Sequence, residues 1–211
     1  MAILKLYGEP GWGSAIVECQ LVWCDIPFEF RPVGDLFKDA KARAALEKIN
    51  PLAQVPTLVL PGGEVMTESA AITLWLADLT GEADLVPEAG APERARFLRW
   101  LVFLVANIYP TYTYADDPAR FVPEAGARAG FFDSVEAWRK KLYGILEAEV
   151  RAPWFLGERF SAIDLYIGVL SRWEPRRAWH EANAPKFLTI ARAAHDLPRL
   201  ADVWARNFPM G

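Results

Sequence analysis

The sequence predicts a two-domain α+β/α protein: a small mixed layer of strands and helices, then an all-helical bundle. Three observations predict it. Short strand-like runs alternate with helix-like runs up to about residue 80. Small residues, acids, Pro87 and Pro92 then give 82–92 the composition of a linker. Beyond it strand patterns vanish and helical periodicity takes over. The expected division is therefore 1–81, a linker over 82–92, and a helical domain over 93–211.

Ile3 to Tyr7 is a short apolar run that suits a buried strand. Gly8-Glu9-Pro10-Gly11-Trp12-Gly13 ends it, because three glycines and a proline suit neither regular element. Ser14 follows where an N-cap is expected, and Ile16 to Cys24 is apolar on most sides, as in a buried helix. Phe28-Glu29-Phe30 reads as a second strand ahead of Pro32. Lys38 to Ile49 is rich in Ala, Leu, Lys and Glu, all good helix formers. Thr57 to Leu60 is a third strand, Pro61-Gly62-Gly63 a turn, and Glu64-Val65-Met66 a short return strand. Ile72, Trp75, Leu76 and Leu79 recur at i, i+3, i+4 and i+7, an amphipathic helix that Gly81 stops. The order is β-α-β-α-β-β-α.

In the second half, Glu93 to Tyr109 reads as one helix and Phe131 to Val150 as another. The second carries Val135, Trp138, Leu142, Ile145 and Leu146 on one stripe. Ser161 to Trp173 is a third helix, and Pro198 to Phe208 closes the chain. Asp116 to Gly126 reads as a loop.

Composition excludes several classes. With 211 residues, 53% apolar and 24% charged, the chain can bury a core and is not disordered. Its 23 basic and 27 acidic residues leave a net charge of −4, with no basic excess for nucleic acid. Cys19, Cys24, His180 and His195 match no metal-site spacing, and two cysteines fit a reducing compartment. Met1 to Tyr7 lacks the charged start and apolar h-region of a secretory signal. The most apolar stretch, Trp100 to Ala106, is far short of the roughly 18 residues a membrane span needs. The expectation is a cytoplasmic protein with no metal, membrane or nucleic-acid partner.

Four local features carry chemistry. In Asn50-Pro51-Leu52-Ala53-Gln54-Val55-Pro56-Thr57, Pro56 sits at the mouth of a strand. Exposed main-chain groups of Val55 there could pair with an extended peptide ligand. Thr67-Glu68-Ser69 leads into a helix N-terminus, which favours a carboxylate; Ser69 adds a hydroxyl donor and Glu68 can hold an ammonium. Together they suit the two ends of an amino acid. The glycine-rich loop before Ser14 matches no phosphate motif, yet can aim N–H groups and a hydroxyl at an anion such as a thiolate. Ser161 and Asp164, with Phe160 and Leu165 at the staple positions, form a capping box and have a structural reading.

In combination these features resemble the cytosolic glutathione transferases, over essentially the whole chain. The resemblance rests on the β-α-β-α-β-β-α order, Gln54-Val55-Pro56, Glu68-Ser69, the Ser161/Asp164 box and the helical second half. It implies a thioredoxin-like first domain that binds glutathione as co-substrate. Val55, before a cis Pro56, would pair with the cysteinyl backbone; Glu68 and Ser69 would hold the γ-glutamyl end; Gln54 and Trp12 would be further contacts. A small hydrophobic electrophile would meet Trp12, Ile108, Tyr109 and Tyr112. The resemblance also implies a detoxifying transferase, usually a homodimer. Its alternatives are a glutathione-binding or structural relative with little turnover, and a glutathione-dependent isomerase or reductase.

The chain departs from that family where the thiol is activated. The positions that usually hold Ser or Cys fall on Gly11, Trp12 and Gly13. Ser14 is the nearest hydroxyl and the expected catalytic residue, with the main-chain N–H groups of Trp12 to Ala15 as the alternative. Tyr7 lies inside the strand. Cys19 and Cys24 lie inside the helix and read as packing residues.

Overall fold

The computed structural model describes residues 3–209; Met1 and Ala2, at the start of the segment read for a secretory signal, lie outside the described residues. The chain forms two compact units, 1–88 with 192–211, and 89–191. Residues 192–211, grouped by sequence with the helical half, thus cluster with the first unit.

The first unit has the predicted order: β1 (Leu4–Gly8), α1 (Ser14–Trp23), β2 (Phe28–Pro32), α2 (Ala40–Glu47), β3 (Thr57–Val59), β4 (Val65–Met66) and α3 (Ser69–Thr80). The four strands form one sheet in the order β2-β1-β3-β4. β1 and β2 are parallel, with Leu6 opposite Phe30; β3 runs antiparallel to both β1 and β4. β2 is an edge strand, which is why it can run on through Pro32.

Alternation along β1 divides its side chains between two clusters. Leu4 and Leu6 join Val17 and Leu21 of α1, Leu58 of β3, and Ile72 and Leu76 of α3. Tyr7 packs instead with Leu36, Leu46, Ala53, Val55 and Trp12. Buried Gln20 and Thr73 tie α1 to α3, with Gln20 Nε2 2.9 Å from Thr73 Oγ1. The expected stripe on α3 shifts at its end: Leu79 is 57% exposed, and Thr73 and Ala77 are buried in the helix's inner face. Gly81 ends α3 at φ +69°, a left-handed cap that suits glycine. Asp39 caps α2, accepting from the Lys41 and Ala42 amides, and so sets a later start than Lys38.

The second unit carries α4 (Arg94–Phe103), α5 (Tyr109–Asp116), α6 (Arg128–Glu149), α7 (Ala162–Leu170), α8 (Arg177–Asn183) and most of α9 (Pro185–His195). The expected single helix over 93–109 is an α-helix, a π-helical turn over Leu104–Ile108, then α5. Pro110 explains the turn. It has no N–H for the Ala106 carbonyl, and its ring would crowd that carbonyl in a regular helix. The Tyr109 N–H accordingly donates five residues back, to Leu104. The expected loop over 116–126 contains two short 3-10 turns, Pro118–Arg120 and Ala125–Ala127.

On α6 the buried positions are Val135, Arg139, Leu142, Tyr143 and Leu146. Trp138 and Ile145, assigned by sequence to the stripe, are 47% and 39% exposed. The capping box opens α7 as expected: the Ser161 N–H donates to Asp164 Oδ2 at 2.7 Å. Helices α8 and α9 have no counterpart in the sequence reading. After α9 the chain closes with a 3-10 turn, Pro198–Leu200, and α10 (Ala201–Asn207), both in the first unit.

Candidate functional site

Three loops of the first unit carry the residues picked out for a peptide thiol.

The β3 entry is built on Asn50, which is 4% exposed. Its Nδ2 donates to the Gln54 carbonyl and to Thr57 Oγ1, both at 3.0 Å, and its Oδ1 accepts the Leu52 N–H. Thr57 Oγ1 also donates to the Gln54 carbonyl, at 2.8 Å. The Val55–Pro56 peptide bond is cis. Val55 is half-buried and Pro56 buried, while Gln54 is exposed. Asn50 is a residue the sequence reading passed over; an Asn-Pro pair is a turn signal that could have marked it.

At the β4–α3 junction Glu68, not Ser69, is the N-cap, and its φ is +61°, in the left-handed region. A non-glycine residue held there costs about 1–3 kcal/mol, and such strain collects at ligand clamps and active sites. Ser69 is the first residue of α3 and is buried; Glu68 is exposed, with the Thr67 hydroxyl 3.4 Å from its carboxylate. The amide end of α3 and an exposed carboxylate are therefore neighbours in the chain, two opposite polarities that suit the two ends of an amino acid.

The β1–α1 loop differs most from expectation. Gly13 is the N-cap of α1, and Ser14 is the first helical residue, fully buried. The Ser14 hydroxyl donates to the Glu9 carbonyl at 3.2 Å and accepts the Glu9 N–H at 3.1 Å. Gly8 makes room for this: a Cβ there would fall 2.4 Å from Ser14 Cβ and Oγ. The Glu9 carboxylate accepts the Gly34 N–H at 2.8 Å, which holds the loop against the end of β2. At the helix start, the Ala15 and Ile16 amides bond to the Trp12 and Gly13 carbonyls. The amides left without an acceptor among the described residues are those of Gly13 and Ser14. Trp12 is half-buried, with its ring 5.2 Å from that of Phe37.

Neither cysteine resembles a reactive thiol. Cys19 is fully buried, and burial pushes its thiol well above the usual range. Burial also raises the half-buried Cys24. Both environments favour the inert thiol over the thiolate.

In the second unit, Ile108, Tyr109 and Tyr112 fall on the π-turn and the start of α5. Ile108 is fully buried. Tyr109 stands edge-on to Tyr166 and Trp173, and its buried hydroxyl has no partner among the described residues. Tyr112 donates to the Glu174 carbonyl at 2.5 Å and lies 2.8 Å from the Tyr143 hydroxyl, which in turn donates to it. The Arg139 guanidinium sits 4.1 Å over the Tyr112 ring. Burial holds the phenols of Tyr109 and Tyr112 above their ordinary range, so neither is a source of phenolate at neutral pH. They offer apolar ring surface, with the Tyr112 proton already spent on the Glu174 carbonyl.

Among the described residues, no group of three or more His, Cys, Asp or Glu side chains is arranged to hold a metal. No helix among them is long and apolar enough to cross a membrane.

Comparison with known proteins bears on the family and the fold. The family profile "Glutathione S-transferase, N-terminal domain" matches residues 17–79. The uncharacterized GST-like protein YncG of Escherichia coli K12 is 42% identical over 206 residues, 97% of this chain and 98% of its own. The glutathione S-transferase GstA of Escherichia coli O157:H7 is 29% identical over 173 residues, 81% of this chain and 82% of its own. A glutathione transferase homolog from Sulfitobacter, solved with bound glutathione, has a TM-score of 0.85 over 96% of this chain and 97% of its own. At 23% identity that last likeness is one of fold.

Proposed function

Since the chain belongs to the glutathione S-transferase family, we propose that it transfers the glutathione sulfur to a small apolar electrophile. The observation that carries this is the β4–α3 junction. There an exposed Glu68 at φ +61° stands beside the amide end of α3, which is opened by Ser69. On this reading Glu68 takes the γ-glutamyl ammonium, and the Ser69 hydroxyl and helix amides take its carboxylate. Val55 pairs its main chain with the cysteinyl residue, and Gln54 and Trp12 complete the contacts.

The chemistry needs thiolate. A free cysteine thiol ionises near pH 8.5, so only a few per cent is reactive at neutral pH. Of the two donors open to this chain, the Ser14 hydroxyl is engaged with Glu9. With Ser14 fully buried, the Gly13 amide at the start of α1 is the donor we assign to the sulfur. It and the helix dipole favour the anion over the thiol. The thiol proton passes to solvent. A sulfur lone pair then forms the S–C bond, and a leaving halide departs with the C–X electron pair. Holding both reactants together supplies much of the remaining rate. Of the expected electrophile contacts, Trp12 in the first unit and Tyr109 and Tyr112 in the second are the ones we propose, while Ile108 is fully buried and serves as core.

Calorimetric titration with reduced glutathione tests the binding site. Wild type is expected to bind, and Ser69→Ala to bind about tenfold more weakly, the equivalent of one lost hydrogen bond to a charged group. No binding by wild type at millimolar glutathione would overturn the reading. A chlorinated aromatic then tests transfer. Binding without turnover would select the second reading, a glutathione-binding relative, which the engaged Ser14 hydroxyl favours. We further propose a cytoplasmic homodimer, supported by exposed apolar side chains such as Leu79 at 57% and Val102 at 55%. Light scattering on the purified protein checks the dimer.

A further inference from the structure

Glu18 of α1 is fully buried, yet its carboxylate is met by two side chains from the last helix, Arg206 and Asn207. Asn207, 4% exposed, donates from Nδ2 to Glu18 Oε2 at 2.7 Å and to the Val203 carbonyl at 3.0 Å. Its Oδ1 accepts the Gly11 N–H at 3.1 Å. Every polar atom of the amide is thus used. A carboxylate can only accept, so Glu18 forces the NH2 end of the amide toward itself and the oxygen toward Gly11. The reverse orientation would set NH2 against the Gly11 N–H and oxygen against the carboxylate.

Gly11 is closely fitted to Asn207. It lies at φ +79°, and a Cβ there would come within 3.2 Å of the Asn207 carbonyl oxygen. Two residues later Gly13 caps α1. The loop is therefore held at both ends, by Gly34 on the Glu9 carboxylate and by Asn207 on Gly11.

We propose that Asn207 is a positioning residue, oriented by Glu18, that fixes the Gly11–Gly13 turn and so aims the amide end of α1 at the glutathione sulfur. This makes the last helix part of the thiol-activating apparatus of the first unit. It rests on the assignment of the Gly13 amide to the sulfur. Without Asn207 the Gly11 N–H loses the acceptor that ties it to the last helix, the turn relaxes, and the amide end of α1 loses its aim. The thiolate loses stabilisation while the contacts at Val55, Glu68 and Ser69 stay in place.

The test titrates the thiolate absorbance of bound glutathione against pH in wild type and Asn207→Ala, with the glutathione Kd measured for each. The variant is expected to raise the ionisation midpoint by about one pH unit, with Kd changed by less than about threefold. An unchanged midpoint with a lowered melting temperature would overturn the proposal, because Asn207 would then serve only stability. Amide exchange on wild type keeps the proposal testable if the variant fails to fold. The Gly11 N–H is expected to be protected and to shift when glutathione binds; fast exchange would overturn the proposal. Absence of glutathione binding by wild type would instead remove the transferase reading itself.

Discussion

Arg139 in α6, only 2% exposed, donates from Nε to Thr111 Oγ1 at 2.9 Å and from Nη2 to the Thr111 carbonyl at 2.8 Å. Thr111 Oγ1 passes its own proton to the Ile108 carbonyl, at 2.6 Å. One guanidinium thus holds the helical segment in which Pro110 leaves the regular hydrogen-bond pattern broken. Arg139→Met keeps much of the volume but strands a buried carbonyl. Urea denaturation is expected to show a loss of about 3 kcal/mol. Arg139→Lys, which can still donate to one of the two oxygens, should recover part of it.

The Asp164 carboxylate receives donors on both oxygens: the Phe155 N–H on Oδ1 at 2.8 Å and the Ser161 N–H on Oδ2 at 2.7 Å. Asp164→Asn therefore offers no remedy, because its NH2 must face one of two amide donors. We expect Asp164→Asn and Asp164→Ala to destabilise similarly, by about 2–4 kcal/mol in denaturant melts. A near-neutral Asn variant would show that one of the two amides does not depend on Asp164.

His180 is fully buried, stacked on Phe187 at 4.9 Å between centroids and edge-on to Tyr143, with neither ring nitrogen bonded among the described residues. Burial lowers its pKa from 6.5 to about 4. In the unfolded chain the ring charges more readily, so its contribution to stability is complete above pH 6.5 and is lost as pH falls toward 4. His180→Phe removes both the unpaired nitrogens and the titration. Thermal melts are expected to show it more stable by roughly 1 kcal/mol at pH 7. The gap over wild type should widen steadily on acidification. A constant gap would mean that His180 does not titrate with folding.

Ser14→Ala tests which donor meets the sulfur. With the hydroxyl serving Glu9, turnover is expected to stay within about threefold of wild type, while stability falls by about 1 kcal/mol. A loss of about a hundredfold or more would place the hydroxyl in the chemistry instead.

Much of the fold was legible because its signals are local. Gly and Pro mark the ends of elements a few residues away, and apolar spacing reports helix or strand within a turn or two. The capping box at Ser161 and Asp164 spans three residues and was readable for that reason. Periodicity was less informative about which side chains lie inside. On α6 it favoured Trp138 and Ile145, but the core takes Arg139 and Tyr143, because a polar residue can be buried where partners such as Thr111 and Tyr112 wait for it. The candidate glutathione contacts were found from motifs. Their supports were not: Asn50 under Gln54, and Glu9 holding the Ser14 hydroxyl.

The alternation of β1 to α3, the helical second half and the short motifs are readable from residue order alone, since each depends on neighbours along the chain. That 192–211 clusters with the first unit, and that Asn207 meets Gly11 across 196 positions, follows from the folded chain. A hydrogen bond between such distant residues leaves no period or spacing in the sequence. It exists because the fold buries Glu18, and a buried carboxylate must find donors wherever the chain brings them.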